Sequence, residues 1–329
     1  MPIARCTLSA LAVLSVLLAA PGVRAGENGT LSFVLENDLF YDADRHYTNG
    51  VRATWLSPRR ERSSLAVRAA RLFPLFPLSG AVRTEYAVGQ NMYTPTDITL
   101  ANPPLDDRPY AGWTYASVGL VAETGRRLDQ LSLSLGIVGP ASLADETQRI
   151  VHEITGADTP RGWHTQLRNE PAVLLAYQRS WRGYVSDTFH GLGVDVTPHL
   201  GVALGNVFTY ANGGLTVRFG ERLPLDYGPP RIQPSLPGSG FFIPSGGFSW
   251  YLFAGVEGRA VARNIFLDGN TFRDSRSVDR KVLVGDLQYG LAVMWDGVRL
   301  AYTHVMRTKE FDGQDTPTDF GAFSVSVAF

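Results

Sequence analysis

Five polar side chains of types that can take part in catalysis or bind a metal lie in three separate segments. They are Asn37 and Asp38 in the first segment, Thr48 in the second, and His152 and Asp158 in the third. An imidazole whose pKa lies near neutrality can act as a general base that takes a proton from water. Carboxylate and amide oxygens are ligands for hard cations. These residues act together only if the fold brings their segments to one place.

Each of these residues also has an ordinary structural explanation. Asn and Asp at strand ends are common in turns, and a lone histidine on a helix is most often a surface group. The sequence has no Gly-x-Ser-x-Gly, Walker or Gly-x-Gly-x-x-Gly motif. His152-Glu153 begins like a zinc-protease motif, but Gly156 stands where the second histidine would be. Without a serine elbow, attack by water is favoured over an acyl-enzyme.

The elements that must position these residues are β-strands. Apolar residues alternate with polar or small residues along most of the chain, as in the segment that contains Leu131, Leu133 and Leu135. A period of two is typical of half-buried strands. It predicts about twelve strands, over residues 30–40, 47–57, 82–92, 112–124, 128–138, 171–183, 190–203, 207–219, 248–260, 280–295, 298–308 and 319–329.

The N-terminus has the pattern of a cleaved signal peptide over residues 1–25. Arg5 precedes an apolar stretch from Leu8 to Ala20, and a Pro-Gly break and a small-residue site ending at Ala25 follow. We therefore expect residues 26–329 to form one mature domain.

Composition limits the class of protein further. The chain has 329 residues, a formal net charge of −1 and 44% hydrophobic residues, which is too apolar and too weakly charged for a disordered protein. Only the N-terminus approaches the roughly 20 apolar residues of a membrane-spanning helix, and no strong positive charge indicates nucleic acid as a partner. The single cysteine, Cys6, lies in the predicted signal peptide, so no disulfide is expected.

A membrane β-barrel explains these strands better than a soluble β-sandwich. Each strand has the roughly 9–11 residues that a tilted strand needs to cross a bilayer. The last strand alternates apolar with small residues and ends in Phe329, as outer-membrane assembly expects. The remaining support is a set of aromatic residues near strand ends, namely Trp55, Tyr86, Trp113, Trp181, Trp250 and Trp295. The sequence therefore predicts an all-β transmembrane antiparallel barrel in a bacterial outer membrane.

The topology of an even-stranded barrel gathers the polar segments at one end. With both termini periplasmic, the connection after the first strand and residues 93–111, 139–170, 261–279 and 309–318 become extracellular loops. Residues 142–156 break the strand period and predict a short extracellular helix that ends at Gly156. The periplasmic connections 58–81 and 220–247 are longer than usual turns, and the strand pattern does not explain them.

At this point the ordered set of motifs resembles the outer-membrane lipid A 3-O-deacylase family, over most of the mature chain. The segments that carry the resemblance are Glu36-Asn37-Asp38-Leu39-Phe40, Tyr47-Thr48-Asn49-Gly50, Asp107-Arg108-Pro109-Tyr110-Ala111-Gly112-Trp113, Gln148 with His152 and Gly156, Gly162-Trp163, and Arg263-Asn264-Ile265-Phe266-Leu267-Asp268-Gly269.

The resemblance implies a twelve-stranded barrel that hydrolyses an ester-linked acyl chain of lipid A in the outer leaflet and requires Ca²⁺. It implies catalytic roles for Asn37, Asp38, Thr48, His152 and Asp158, the last standing where the family pattern has glutamate. Ca²⁺ would be held by the first two of these residues and by the last.

The resemblance also implies that Arg108 and Tyr110 bind the substrate, lipopolysaccharide. Asp107 stands where a lysine sometimes precedes the arginine, so a Lys-Arg phosphate clamp is not expected. Three alternatives remain: a phospholipase-like outer-membrane hydrolase, a passive pore, and a barrel without enzymatic activity.

Overall fold

The computed structural model describes residues 29–38, 46–58, 68, 73–77, 81–232, 234, 240–243 and 247–329. The predicted signal peptide, residues 1–25, lies outside the described residues, and so do Leu39 and Phe40 of the first motif. Over the described ranges, no helix combines the length and the apolar character that crossing a membrane requires.

The described residues form mostly β-strands with a few short helices. The helices are α1 (Ala144–Thr155) and α2 (Ile265–Asp268), with single 3-10 turns at Pro140–Ser142 and Trp163–Thr165. The strands are β1 (Thr30–Asn37), β2 (His46–Leu56), β3 (Ala81–Thr94), β4 (Ala111–Thr124), β5 (Arg127–Val138), β6 (Glu170–Trp181), β7 (Val185–Phe189), β8 (Leu192–Gly205), β9 (Phe208–Glu221), β10 (Leu225–Asp226), β11 (Phe242–Ile243), β12 (Ser249–Asn264), β13 (Leu283–Trp295), β14 (Val298–Arg307) and β15 (Thr318–Ala328).

The main sheet closes on itself as an antiparallel barrel. Its strand order is β6-β5-β4-β3-β2-β1-β15-β14-β13-β12-β9-β8-β7, and an additional pairing of β6 with β8 completes the ring. Strand β7 follows β6 and pairs with the same neighbour, β8, so the barrel has 12 positions. The predicted fold class and strand number are confirmed. Closure pairs the backbone groups that an open sheet would leave exposed to lipid.

Alternation along each strand separates an outward from an inward face. Val88 on β3, Val118 on β4 and Leu135 on β5 point outward and are largely exposed, as residues that contact lipid would be. Outward Trp55 packs against Phe329, with ring centroids 6.0 Å apart, at the end where both termini lie.

The prediction that Trp113 lies at the membrane interface is wrong. Trp113 occupies an inward position on β4 and is buried, and it stacks on Tyr115 with ring centroids 4.2 Å apart. It packs with other interior aromatic rings and cannot contact the membrane interface. The tryptophan marks a strand end, but the strand period places it on the other face.

Ion pairs fill much of the barrel interior. The Arg218 side chain pairs with both Asp195 and Asp226, and Arg299 Nη1 contacts Asp226 Oδ2 at 3.0 Å. Tyr251 donates its hydroxyl to the same carboxylate at 2.8 Å. A charge buried in this way is tolerated only because it is paired and hydrogen-bonded.

The long connection between β9 and β12 enters the interior. This connection contains Asp226, which pairs with Arg218 and Arg299. It also contains Arg231, which donates from Nε to Glu36 Oε1 and from Nη1 to Gln288 Oε1, both at 2.7 Å. Phe241 and Phe242, at its far end, are also buried. The described part of the predicted connection 220–247 is therefore a segment folded into the lumen, which explains its length.

Helix α2 packs into the barrel interior at the end away from the chain termini. Its Phe266 is fully buried and stacks on Tyr93 with ring centroids 4.0 Å apart, next to Trp113 and Phe208. Asn264 caps the helix by accepting a bond from the Phe266 backbone N–H at 3.1 Å. Helix α2 and the described part of the β9–β12 connection thus occupy the barrel interior, which argues against a passive pore.

The other long connection, residues 58–81, packs on the outside of the barrel in its described part. Phe76 is buried against outward residues of neighbouring strands. The Leu75 carbonyl accepts bonds from Tyr177 Oη at 3.1 Å and Arg179 Nη2 at 2.8 Å. Residues 73–77 therefore cover the outer wall at the end near the termini.

Removing Asp226 should destabilise the barrel strongly. An Asp226→Ala variant removes the carboxylate that pairs with Arg299 and one of the two that pair with Arg218, and we expect a loss of about 3–5 kcal/mol. The measurement is the temperature at which the purified barrel loses its fast gel mobility. The matched control is Asp312→Ala, because the ion pair of Asp312 with Lys281 is largely exposed and should change that temperature little. Equal effects of the two changes would contradict the role given to the interior network.

Candidate functional site

The outer wall changes character at the extracellular end of β3. Tyr86 and Val88 are exposed apolar residues, whereas Met92 and Thr94, on the same outward face, are only 2% and 0% exposed. The face also becomes polar there, beginning with Gln90. Some other part of the chain must therefore cover this region of the wall.

The cover is α1 with the turn that precedes it. The Ser142 carbonyl accepts bonds from Gln90 Nε2 and from Thr114 Oγ1, both at 2.7 Å. Gly112 on β4 lies directly beneath, and a Cβ atom at that position would be 2.3 Å from the Ala144 Cβ. The glycine of the Tyr110-Ala111-Gly112-Trp113 motif is thus required for α1 to approach the barrel.

Helix α1 confirms the predicted extracellular helix and its end. Gly156 has φ 78° and donates its N–H to the His152 carbonyl at 2.7 Å, as a glycine that ends a helix typically does. The buried side chains of the helix are Ala144, Gln148 and His152, each four residues from the next. This spacing turns them all toward the barrel.

One hydrogen bond defines the tautomer of the candidate base. His152 Nδ1 lies 2.5 Å from the backbone carbonyl oxygen of Asp158. A carbonyl only accepts, so Nδ1 carries the proton, and Nε2 of the neutral imidazole has a lone pair. The imidazole is 5% exposed and is held in one orientation. It can therefore accept a proton from a water molecule placed at Nε2.

A group of aromatic residues holds α1 in position from the other side. Trp163 donates its Nε1–H to Gln148 Oε1 at 2.7 Å. The ring of Tyr110 lies 4.9 Å from that of Trp163, and its hydroxyl donates to the Ile98 carbonyl at 3.1 Å. Tyr110 is fully buried in these contacts, so in this structure it supports the helix.

The first two polar segments meet on the same outer wall. Glu36 points inward, to Arg231, so its neighbour Asn37 occupies an outward position on β1, directly opposite Asn49 of β2. Asp38 is fully buried, and its backbone N–H donates to the Thr48 carbonyl at 3.3 Å.

A β-bulge gives Thr48 its orientation. The register of β2 against β3 shifts between Tyr47 and Asn49, so Thr48 is an extra residue. Tyr47 reaches inward to Glu36 at 2.9 Å, whereas the Thr48 hydroxyl lies 2.6 Å from the outward hydroxyl of Thr94. Bulges often redirect a side chain beside an active site.

The candidate site therefore lies on the side of the barrel, where the sequence indicated only its rim. Thr48 contacts Thr94, and Met92 of the same strand packs with Ala144 of α1. Sequence reasoning missed Thr94, Gln90 and Thr114. Their signal was present, because they are polar residues in phase with the lipid-facing positions of β3 and β4.

Arg108 is the candidate residue that the fold directs elsewhere. Its Nη2 contacts Glu310 Oε2 at 3.0 Å, and its guanidinium lies 5.2 Å from the Tyr93 ring and 5.8 Å from the Phe311 ring. The side chain is fully buried. In this structure the guanidinium is therefore held by Glu310 and two aromatic rings.

The side chains at the ends of β1 and β2 carry oxygen atoms of the types that hard cations prefer. Among the described residues, no three His, Cys, Asp or Glu side chains are grouped closely enough to hold a metal. Asp38, Asn37 and Thr48 nevertheless supply a carboxylate, an amide and a hydroxyl oxygen, which fit Ca²⁺ better than Zn²⁺. Asp158 contributes its carbonyl to His152, and its side chain is exposed.

Fold and site together define an outer-membrane β-barrel with a filled lumen and a polar site on its lipid-facing wall. The chain belongs to the family described as outer membrane protein LpxR, whose sequence model matches residues 7–329. LpxR from Salmonella typhimurium has a similar structure, with a TM-score of 0.73 at 20% identity over 91% of this chain and 100% of that one.

A further solved structure, the β-domain of the Bordetella autotransporter BrkA, matches with a TM-score of 0.45 at 11% identity, over 93% of this chain and 100% of that one. No curated protein matches the sequence.

A methyl group at Gly112 should displace α1 without opening the barrel. We expect Gly112→Ala to expose the linker around α1 to limited proteolysis, because the new Cβ would overlap Ala144. The matched control is Gly258→Ala on β12, where a Cβ meets no atom within 4 Å. Both variants should keep heat-modifiable gel mobility. Equal protease resistance of α1 in the two variants would contradict the close approach.

The acid stability of the barrel should depend on Glu310. Burial acts to raise the pKa of Glu310, but Arg108 and Arg307 outweigh it and hold that pKa below its usual range. Such a carboxylate stabilises the fold fully above its unfolded pKa of about 4.3. Its contribution is lost as the pH falls from there through the folded pKa.

We therefore expect Glu310→Gln to be less thermostable than the wild type at pH 7, with the difference narrowing toward pH 3. The measurement is the loss of fast gel mobility on heating at each pH, with exposed Asp315→Asn as the control. A difference that is unchanged between the two pH values would show that the ionised carboxylate is not the cause.

Proposed function

We propose that this protein is a hydrolase that removes an ester-linked 3-O acyl chain from lipid A in the outer leaflet. Membership in the LpxR family supports an outer-membrane enzyme that modifies lipid A. The observation that carries the proposal is His152, whose Nδ1 proton is held by the Asp158 carbonyl on the lipid-facing wall. A base held in this way, beside a membrane, suits a substrate whose ester is itself in the membrane.

In the proposed reaction, water attacks the ester carbonyl while His152 Nε2 takes one of its protons. The tetrahedral intermediate then expels the sugar oxygen, which takes that proton back from the imidazolium. The products are a free fatty acid and a hydroxyl on the former ester position. The Asp158 carbonyl favours this cycle because it keeps accepting from Nδ1–H as positive charge develops on the ring.

The negative charge on the former carbonyl oxygen needs a positive or hydrogen-bonding group. Asp38 and Asn37 would hold Ca²⁺, which supplies such a charge when bound. The Asp158 carboxylate is the further ligand that the family resemblance suggests. Thr48, whose hydroxyl is paired with that of Thr94, would orient the attacking water or a substrate oxygen.

Lipopolysaccharide would reach the site sideways, along the outer wall between α1 and the end of β1. The substrate-binding roles expected for Arg108 and Tyr110 stay predictions, because these side chains contact Glu310 and Ile98 in the described structure. Residues 1–25 as a cleaved signal peptide for export to the outer membrane likewise stay a prediction.

His152→Ala should lose the contribution of the general base, roughly 10²- to 10⁴-fold in rate. The measurement is release of fatty acid from purified lipid A, followed by mass spectrometry. The control is His164→Ala, an exposed histidine shortly after α1 that should change the rate little. Both variants should keep heat-modifiable mobility. Normal activity of His152→Ala would remove the proposed site.

Removal of Ca²⁺ should abolish deacylation. We expect a chelator to stop the reaction and added Ca²⁺ to restore it better than Mg²⁺, because Ca²⁺ accepts irregular oxygen sites. Asp38→Asn should raise the Ca²⁺ concentration needed for half-maximal rate, since it removes the charged ligand. Full activity in the presence of chelator would refute the metal role and leave His152 to be tested separately.

A further inference from the structure

Most of the surface of helix α1 does not pack on the barrel. Successive residues are about 100° apart around a helix, so the buried residues Ala144, Gln148 and His152 take up less than a third of its circumference. The remaining surface divides into two flanks of different chemistry.

One flank is apolar and exposed. Leu143, Ile150 and Ile154 are 58%, 58% and 59% exposed and lie within about 40° of one another around the helix axis. The adjacent flank is charged, and its edge at Glu146 lies about 40° from Ile150. Its residues are Asp145, Glu146, Arg149 and Glu153.

Leu143 is notable for its backbone as well. It is the N-cap residue of α1 and has φ 59°, in the left-handed region that glycine or asparagine normally occupies. The same residue ends the 3-10 turn at Pro140–Ser142, a position where the left-handed conformation is common, and its apolar side chain is largely exposed.

Helix α1 lies beside the lipid-facing surface of the barrel. Helix α1 covers Gly112 and Met92, and on the same strands the next outward residues toward the barrel middle include exposed Val118 and Val88. A helix that lies on this wall with one apolar and one charged flank matches the amphipathic pattern of interfacial helices.

We propose that α1 is an interfacial helix, whose apolar flank of Leu143, Ile150 and Ile154 is embedded in the acyl-chain layer of the outer leaflet. Its charged flank then faces water. His152, on the barrel-facing side of the same helix, is held at the boundary between acyl chains and headgroups, the depth at which an acyl ester lies. This last consequence rests on the proposed function, whereas the embedding does not.

The first experiment measures depth directly. The only cysteine is Cys6, so single cysteines can be introduced into a Cys6→Ser chain. Nitroxide labels at Ile150→Cys and Ile154→Cys are compared with labels at exposed Arg149→Cys and Glu153→Cys, in vesicles of phosphatidylethanolamine and phosphatidylglycerol. We expect the first pair to collide mainly with oxygen and the second pair mainly with a water-soluble nickel chelate. Equal access of the chelate to all four positions would overturn the proposal.

The second experiment separates membrane embedding from site assembly. We expect the double variant Ile150→Asp, Ile154→Asp to lose at least about tenfold in rate on lipid A in vesicles while matching the wild type on lipid A dispersed in detergent. The control, Ile150→Leu with Ile154→Leu, should keep both rates.

An equal loss on both forms of substrate would show that the flank supports the site internally, against the proposal. If the wild-type protein released no acyl chain at all, the proposed function would fail, and the labels would still decide the embedding.

Discussion

The position of the candidate site depends on one constraint of a closed barrel. Successive side chains of each strand point alternately into the interior and toward the lipid. The inward face is occupied, because Glu36 binds Arg231, Asp226 binds Arg218 and Arg299, and the segment from β9 to β12 lies among them. These pairs tie distant strands together across the described interior. A reaction on a membrane lipid must then take place on the outward face.

A polar outward face is costly in lipid unless its groups are paired and covered. Thr48 and Thr94 pair with each other, and α1 covers the neighbouring wall because Gly112 lets it approach. The same docking brings His152 to the wall in a single tautomer. The site is therefore a local exception to the lipid-facing pattern, and its existence depends on the helix that covers it.

The strands and their number could be predicted because a period of two is written directly in the sequence, and the end of α1 because Gly156 has the conformation that a helix end needs. Other features left no such trace. The partner that orients His152 is the backbone carbonyl of Asp158, and any residue at position 158 would supply it. Arg108 and Trp113 were placed correctly along the chain, but their orientation toward the interior follows from three-dimensional packing. The aperiodic connection that fills the lumen has no strand pattern to read.

The central claim is that this outer wall removes an acyl chain from lipid A through His152. The most direct measurement is mass spectrometry of lipid A from cells that carry the wild-type protein, the His152→Ala variant or neither. The account predicts lipid A species that lack one ester-linked acyl group only with the wild-type protein, at equal amounts of assembled barrel. Identical lipid A spectra in all three strains, with the wild-type barrel assembled and Ca²⁺ present, would contradict it.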